Sequence, residues 1–217
     1  MQTTQLSRRV FVSGSALCAL AAIGFKNAQA QILRLPSELV NEVLTLPGRI
    51  VLGNPKGDAT IIEFFDYNCG FCKRSAAEIK PLLTADKQLR YLLINYAILG
   101  EASIEASRVA LGFSMQKVPG GYLALHEALF KLRGRVDAGR AVTLATELGA
   151  KRDQLINDAD SDRVTDALIK ASRLGESLGL TATPSFVAGR EAVVGYVDLP
   201  AKQKAIANLR RCEAIAC

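Results

Sequence analysis

The sequence predicts an α/β fold in which a block of helices is inserted into a frame of strands and helices. Two apolar runs, at 60–65 and 89–96, flank a helical pattern and together form a β-α-β unit. Strand patterns stop over 101–176 and return at 185–188 and 192–196. The predicted order is β-(β-α-β), then a run of helices, then β-β-α, which favours an inserted helical subdomain over a separate C-terminal one.

The chain begins with a segment that resembles a secretory signal peptide. A basic start is followed by an apolar stretch from Val10 to Phe25 and by the small residues Ala28 and Ala30, which are typical of a cleavage site. The string Ser-Arg-Arg-Val-Phe-Val at 7–12 is similar to a twin-arginine signal, and an ordinary Sec signal is the alternative. We expect cleavage after residue 30 and export of the mature bacterial protein to the periplasm.

The mature chain is expected to start with a short N-terminal arm at 31–47, which is too short for a separate oligomerisation domain. The main domain follows in two pieces, 48–100 and 177–217, on either side of the insertion at 101–176. A first strand is predicted at 49–52, and the last helix begins at Pro200. Within the insertion, helical patterns cover 101–116, 121–133, 138–149, 153–158 and 161–178.

Charge and cysteine content bound the function classes. The formal net charge of +6 falls to +3 when Arg8, Arg9 and Lys26 leave with the signal, and so small an excess does not indicate a nucleic-acid partner. Cys18 leaves with the same segment. An even number of cysteines in an exported protein is typical of disulfide bonding, and the four that remain are Cys69, Cys72, Cys212 and Cys217.

The pair Cys69 and Cys72, separated by two residues, admits three chemistries. A zinc site needs two further ligands, and the candidates His126, Cys212 and Cys217 are far away in sequence. A purely structural disulfide would close a very short loop, and short loops stabilise least. A redox-active pair fits better, because the motif lies where a strand meets a helix.

Position predicts different roles for the two sulfurs. Cys69 lies at the N-terminal end of the helix, where unpaired backbone N–H groups and the helix dipole stabilise a thiolate. Cys69 is therefore the expected nucleophile, and Cys72 is expected to resolve the mixed disulfide. Glu63, on the strand that enters the motif, is the candidate buried acid that exchanges a proton with Cys72, and a solvated strand edge is the alternative.

The motif and a second string resemble the DsbA-like thiol-disulfide oxidoreductases, over about residues 48–211. The matching strings are Glu-Phe-Phe-Asp-Tyr-Asn-Cys-Gly-Phe-Cys at 63–72 and Thr-Ala-Thr-Pro-Ser-Phe-Val at 181–187. The resemblance implies a thioredoxin-like fold with a helical insertion, and a cis Pro184 that faces the cysteines. It also implies that the backbone of Thr183 pairs with an extended substrate strand, and that Glu63 is the family's buried acid.

The function implied by this resemblance is a protein dithiol-disulfide oxidoreductase that forms or rearranges disulfides in exported proteins. Expected partners are cysteine-containing client proteins and a membrane redox protein that recharges the site; no cofactor and no metal are expected. Gly70 and Phe71 are closer to the Cys-Gly-Tyr-Cys of isomerases than to the Cys-Pro-His-Cys of strong oxidants, and oxidase and isomerase both stay open. A thioredoxin-fold binding module or chaperone with an inert disulfide is the alternative.

The last two cysteines, Cys212 and Cys217, follow the final helix. A structural disulfide between them would hold the frayed end of that helix. A second redox pair, or an intermolecular bond through Cys217, is the alternative. The structural disulfide is favoured because no strand or proline motif accompanies these two residues.

Overall fold

The computed structural model describes residues 32–217, and the predicted signal peptide lies outside the described residues. The elements in chain order are β1 Ile32–Arg34, α1 Ser37–Thr45, β2 Ile50–Gly53, β3 Ala59–Phe65, α2 Gly70–Ala85, β4 Leu89–Asn95, α3 Glu101–Ser114, α4 Gly121–Lys131, α5 Ala138–Glu147, α6 Arg152–Ala159, α7 Asp162–Ser177, β5 Ser185–Ala188, β6 Glu191–Val194 and α8 Leu199–Cys212. The six strands form one sheet in this part of the chain, in the order β1-β6-β5-β3-β4-β2.

Strand β3 lies at the centre of the sheet and carries the functional motif at its C-terminal end. It pairs in parallel with β4, as a β-α-β unit requires, and antiparallel with β5. Successive side chains point to opposite faces, and Ile61 and Phe65 join one core while Ile62 and Phe64 join the other. Glu63 therefore points to the same face as Ile61 and Phe65, beneath α2.

The N-terminal arm has a secondary structure that the sequence pattern did not indicate. Strand β1 pairs antiparallel with β6 and extends the sheet by one edge strand. Helix α1 buries Val43 against the face of the sheet that carries Ile62 and Phe64. A strand of three residues is too short to show the alternation of apolar and polar residues that marks a strand in a sequence. Its stability comes from pairing with β6 rather than from its own composition.

The helical block is organised around α3, which packs against α4, α5, α6 and α7. Gly112 of α3 lies against the backbone of α6, where an added Cβ would stand only 2.8 Å from the Ala159 nitrogen. Helix α7 contacts both parts of the molecule: Ala167 packs with Leu111 of α3, whereas Leu174 packs with the sheet. The domain boundary at 176 stays a prediction, since α7 packs against both the helical block and the sheet.

No helix in residues 32–217 combines the length and hydrophobicity that crossing a membrane requires.

Candidate functional site

The cysteine pair lies at the junction between β3 and α2. Cys69 is the N-cap of α2, and its sulfur accepts a hydrogen bond from the Cys72 backbone N–H at 3.3 Å. Cys72 lies one turn into the helix and faces the core. Both cysteines are unpaired in this structure, and the pair is therefore described in its dithiol form. This is the location that the sequence predicted for the pair.

Two polar residues that the sequence analysis did not single out fix the turn before Cys69. The buried Asp66 carboxylate accepts hydrogen bonds from the Asn68 N–H at 2.8 Å, the Leu99 N–H at 2.9 Å and the Ser103 hydroxyl at 2.7 Å. The Asn68 side chain exchanges two hydrogen bonds with the backbone of Val136. These contacts tie the motif to the helical block, because Ser103 and Val136 both belong to it.

The environment of Cys69 favours its thiolate. Its thiol donates a hydrogen bond to the carbonyl oxygen of Thr183 at 3.1 Å, and the residue keeps 8% of its surface exposed. The pKa of Cys69 is lowered to about 6, first by the hydrogen bond with the Cys72 thiol and then by contacts with Thr183 and with the N–H groups of Cys72 and Phe71, against the opposing effect of burial. A thiolate is therefore the main form of Cys69 at neutral pH.

Cys72 has the opposite character. It is 1% exposed, and burial is the main reason why its pKa is raised above the ordinary value, followed by the hydrogen bond with Cys69 and the charge of Glu63. Its sulfur accepts one hydrogen bond, from the Asp66 N–H at 3.5 Å. The pair thus consists of one activated sulfur and one protonated, protected sulfur.

Thr183 and Pro184 close the site from the other side. The peptide bond between them is cis, and Pro184 directly precedes β5, whose first residue, Ser185, pairs with Phe64 near the end of β3. This register brings the proline segment next to the cysteines although the two are more than a hundred residues apart. The structure therefore brings Cys69, Cys72, Thr183 and Pro184 together.

Glu63 lies in the interior below the pair and is 1% exposed. The Tyr91 hydroxyl donates a hydrogen bond to its Oε2 at 2.5 Å. Burial raises the pKa of Glu63, while the Lys202 charge and the hydroxyl groups of Tyr91 and Ser75 counteract the shift. The side chain belongs to the interior rather than to a solvated strand edge, so the alternative considered from the sequence does not apply.

A buried lysine accompanies this acid. Lys202 of α8 is 2% exposed, and its Nζ donates hydrogen bonds to Ser75 Oγ and Glu78 Oε2, both at 2.7 Å. The same ammonium lies 4.8 Å from the centre of the Phe186 ring. The sequence analysis missed Lys202, because a lysine in a terminal helix reads as a solvated residue and its partners are more than a hundred positions away.

The surface next to the cysteines is partly aromatic. Phe71 is 56% exposed and stacks on Tyr196 with ring centres 6.3 Å apart. The Arg74 guanidinium lies 4.4 Å above the Tyr196 ring, and the Tyr196 hydroxyl donates a hydrogen bond to Glu78. The Phe71 side chain offers no hydrogen-bond donor to Cys69, which leaves the lowering of the thiol pKa to the Cys72 thiol, Thr183 and the backbone N–H groups of Cys72 and Phe71.

His126 and the C-terminal cysteines have other surroundings. His126 is buried among Phe65, Tyr67 and Phe130, and burial lowers its pKa to about 3, so that it is a neutral packing residue. Cys212 and Cys217 form a disulfide with each other. Their segment is attached to β6 through the Ile215 N–H and Glu191. A structural role for this disulfide stays a prediction.

The same region of the chain is recognisable in other proteins. Residues 60–207, which are more than half of the chain, match the family model of the DSBA-like thioredoxin domain. The chain belongs to this family. The resemblance predicted from 63–72 and 181–187 is thereby confirmed.

Relatives of this DsbA-like chain include proteins from several bacteria. Disulfide bond formation protein D of Bacillus subtilis is 22% identical over 166 residues, which are 71% of this chain and 73% of that protein. A thioredoxin-like oxidoreductase from Silicibacter pomeroyi is 37% identical, with a TM-score of 0.74 over 79% of this chain and 98% of its own. The thiol-disulfide exchange protein alpha-DsbA2 from Wolbachia pipientis is 25% identical, with a TM-score of 0.72 over 80% and 92% of the two chains. The predicted thioredoxin-like fold with a helical insertion is confirmed.

Proposed function

We propose that this DsbA-like chain is an exported protein thiol-disulfide oxidoreductase in which Cys69 is the nucleophile and Cys72 resolves the mixed disulfide. The family supports this class of enzyme. The observation that carries the proposal is the asymmetry of the pair: Cys69 is 8% exposed and has a pKa of about 6, whereas Cys72 is 1% exposed and has a raised pKa. An inert structural disulfide would need no such difference between its two sulfurs.

The reaction follows from these two thiols. The Cys69 thiolate attacks a client disulfide, forms a mixed disulfide and releases one client sulfur as a thiolate. Cys72 then loses its proton and attacks Cys69, which forms the Cys69–Cys72 bond and releases the second client thiolate. The client gains two electrons and the pair loses two, and the same steps in reverse oxidise a client dithiol.

Glu63 and the proline segment complete the proposal. Glu63 takes the proton that Cys72 must lose, because burial raises the pKa of this carboxyl and thereby strengthens it as a proton acceptor. Thr183 holds an extended client segment through its backbone, and Pro184 keeps that backbone beside Cys69. The carbonyl contact of Thr183 with the Cys69 sulfur supports this placement.

The location and the direction of the reaction are further parts of the proposal. A signal peptide at 1–30 takes the protein to the periplasm, where exported cysteine-containing proteins are the clients and a membrane redox protein recharges the pair. The pKa of about 6 for Cys69 lies between about 7 for thioredoxin and about 3.5 for DsbA. A reactive thiolate of this kind is needed for rearrangement of client disulfides and for their formation, and the proposal includes both.

An exchange assay tests this function. The purified mature protein is mixed with a reduced or scrambled disulfide-containing client in a glutathione buffer, and recovery of the client's native activity is followed. We expect catalysis by the wild type and none by the Cys69→Ser, Cys72→Ser double variant. The Cys212→Ser, Cys217→Ser double variant is the matched control and keeps catalysis. Equal client binding by wild type and the Cys69→Ser, Cys72→Ser variant, without catalysis by either, would instead indicate a binding module.

A further inference from the structure

A groove runs along one side of α2, between this helix and α4, and starts at the nucleophile. It consists of two adjoining depressions that share Lys73 and Phe130. The first is bordered by Cys69 and Arg133, and the second reaches Pro81 along α2. This groove lies on the helical-block side of the site, opposite the surface formed by Tyr196.

The floor and the rim of this groove have different chemistry. We call the uncharged lining of the second depression its floor, and its residues are small or apolar: Ala76, Ala77, Pro81 and Phe130. The charged residues that line the two depressions are four cations and one acid: Lys73, Lys80, Lys131, Arg133 and Glu127. All four cations are exposed, and within residues 32–217 none of them lies within ion-pair distance of a carboxylate.

The wall next to Cys69 is held in place. The two hydrogen bonds between Asn68 and Val136 attach the segment that carries Arg133 to the active-site turn. The Lys73 ammonium lies 3.5 Å from the carbonyl oxygen of Leu132 in the same segment. Two cations therefore flank the opening beside the nucleophile on a supported backbone rather than on a free loop.

We propose that this groove is a client-binding subsite that selects an extended segment with acidic side chains next to the reacting cysteine. The inference rests on the proposed function and names the kind of client that this function favours. From Lys73 to Pro81 the helix rises about 12 Å, at about 1.5 Å per residue. An extended chain covers this length with about four residues at about 3.3 Å each. Aspartate or glutamate side chains meet the cations of the rim, and small apolar side chains lie on the floor.

The charge complementarity acts mainly on the rate of encounter. Unpaired surface cations attract an acidic segment over about one Debye length, about 8 Å at physiological salt, and added salt weakens the attraction. We expect acidic peptides to form the mixed disulfide about tenfold faster than basic peptides at low salt, within the range of electrostatically steered association. The advantage should shrink as salt is added.

The test uses synthetic peptides that carry one cysteine, linked by a disulfide to a small neutral thiol. Four residues on one side of the cysteine are acidic, neutral or basic, and the reaction of each peptide with the dithiol form of the protein is followed in stopped flow. The ratio of the acidic to the basic rate constant is the readout. Changes in Cys69 reactivity cancel in this ratio, since both peptides meet the same thiolate.

The variant Lys73→Glu, Arg133→Glu should lose or reverse the preference. The matched control Arg163→Glu, Lys170→Glu changes the net charge equally, on exposed residues of α7 outside the groove, and should keep it. The Lys80→Glu, Lys131→Glu variant, farther from Cys69, provides a second reading should the first variant fail to fold. Equal wild-type rates for acidic and basic peptides at low salt would overturn the proposal, as would equal loss in the control. If the protein reduces neither a peptide nor a small neutral disulfide, the proposed function itself fails.

Discussion

Removal of the Cys72 thiol is predicted to raise the pKa of Cys69. The hydrogen bond with Cys72 is the first cause of the shift from 9.0 to about 6, ahead of the contact with Thr183. Cys72→Ala deletes this donor and keeps the helix end, whereas Cys72→Ser keeps a hydroxyl at the same place. We therefore expect the pKa of Cys69 to be lowest in the wild type, higher in Cys72→Ser and highest in Cys72→Ala.

The size of the effect follows from the shift itself. A pKa of about 6 leaves about nine-tenths of Cys69 as thiolate at pH 7, whereas a pKa near 9 leaves about one-hundredth. Because the folded-state pKa is lowered, the stabilisation of the dithiol form is present at high pH and is lost as the pH falls through about 6. At pH 7 it amounts to at most about 1.4 kcal/mol, or about 30 mV for a two-electron couple, since solvent screens the exposed part of Cys69.

The assay is the pH dependence of Cys69 alkylation, with thiolate absorbance as a second measure. The midpoint, rather than the absolute rate, is compared, because a thiolate of higher pKa is also a better nucleophile. We expect a wild-type midpoint near 6 and higher midpoints in both variants. A wild-type midpoint near the ordinary value for a thiol, or identical midpoints in wild type and Cys72→Ala, would refute the reasoning.

Three further predictions concern the surroundings of the pair. Glu63→Gln keeps a partner for Tyr91 but binds no proton, so Cys69–Cys72 closure should slow by about tenfold or more. The rate is measured as single-turnover client release from a mixed disulfide that is prepared in acid with Cys72 present and then brought to pH 7; an unchanged rate would exclude Glu63 as proton acceptor. Lys202→Met removes a positive charge that lowers the pKa of Glu63, so this pKa should rise further and the pH profile of closure should shift upward. The same variant should cost about 3 kcal/mol in urea unfolding, because Glu78 loses its buried partner. Lys202→Met in a Glu78→Gln background should cost less. The Cys212→Ser, Cys217→Ser variant should lose about 2 kcal/mol in urea unfolding, the entropy of a short loop, and keep full exchange activity; lost activity would point to a second redox pair.

The sequence was informative where local pattern determines structure. The apolar runs of β3 and β4, the helical spacing of α2 and the hairpin of β5 and β6 are visible without tertiary contacts, and the structure has each of them with ends shifted by only a few residues. The placement of Cys69 at a helix N-terminus follows from the same patterns, since a strand that changes into a helix defines one junction.

The remainder depends on contacts between distant parts of the chain. Asp66 and Asn68 read as ordinary turn residues, and only the fold reveals that their partners lie in the helical block. Lys202 reads as a surface residue until α8 packs against α2 and places its ammonium beside Ser75. Strand β1 has too few residues to show a period. Such features depend on tertiary pairing, which residue types alone do not encode.

The central claim is that Cys69 attacks clients and Cys72 releases them, and covalent trapping tests it most directly. Cys72→Ser is expressed with its signal segment, periplasmic proteins are alkylated in acid, and mixed disulfides are identified by mass spectrometry under non-reducing conditions. We predict client proteins bonded through Cys69 in Cys72→Ser and far fewer bonded through Cys72 in Cys69→Ser. Absence of mixed disulfides in Cys72→Ser, or more of them in Cys69→Ser, would contradict the account.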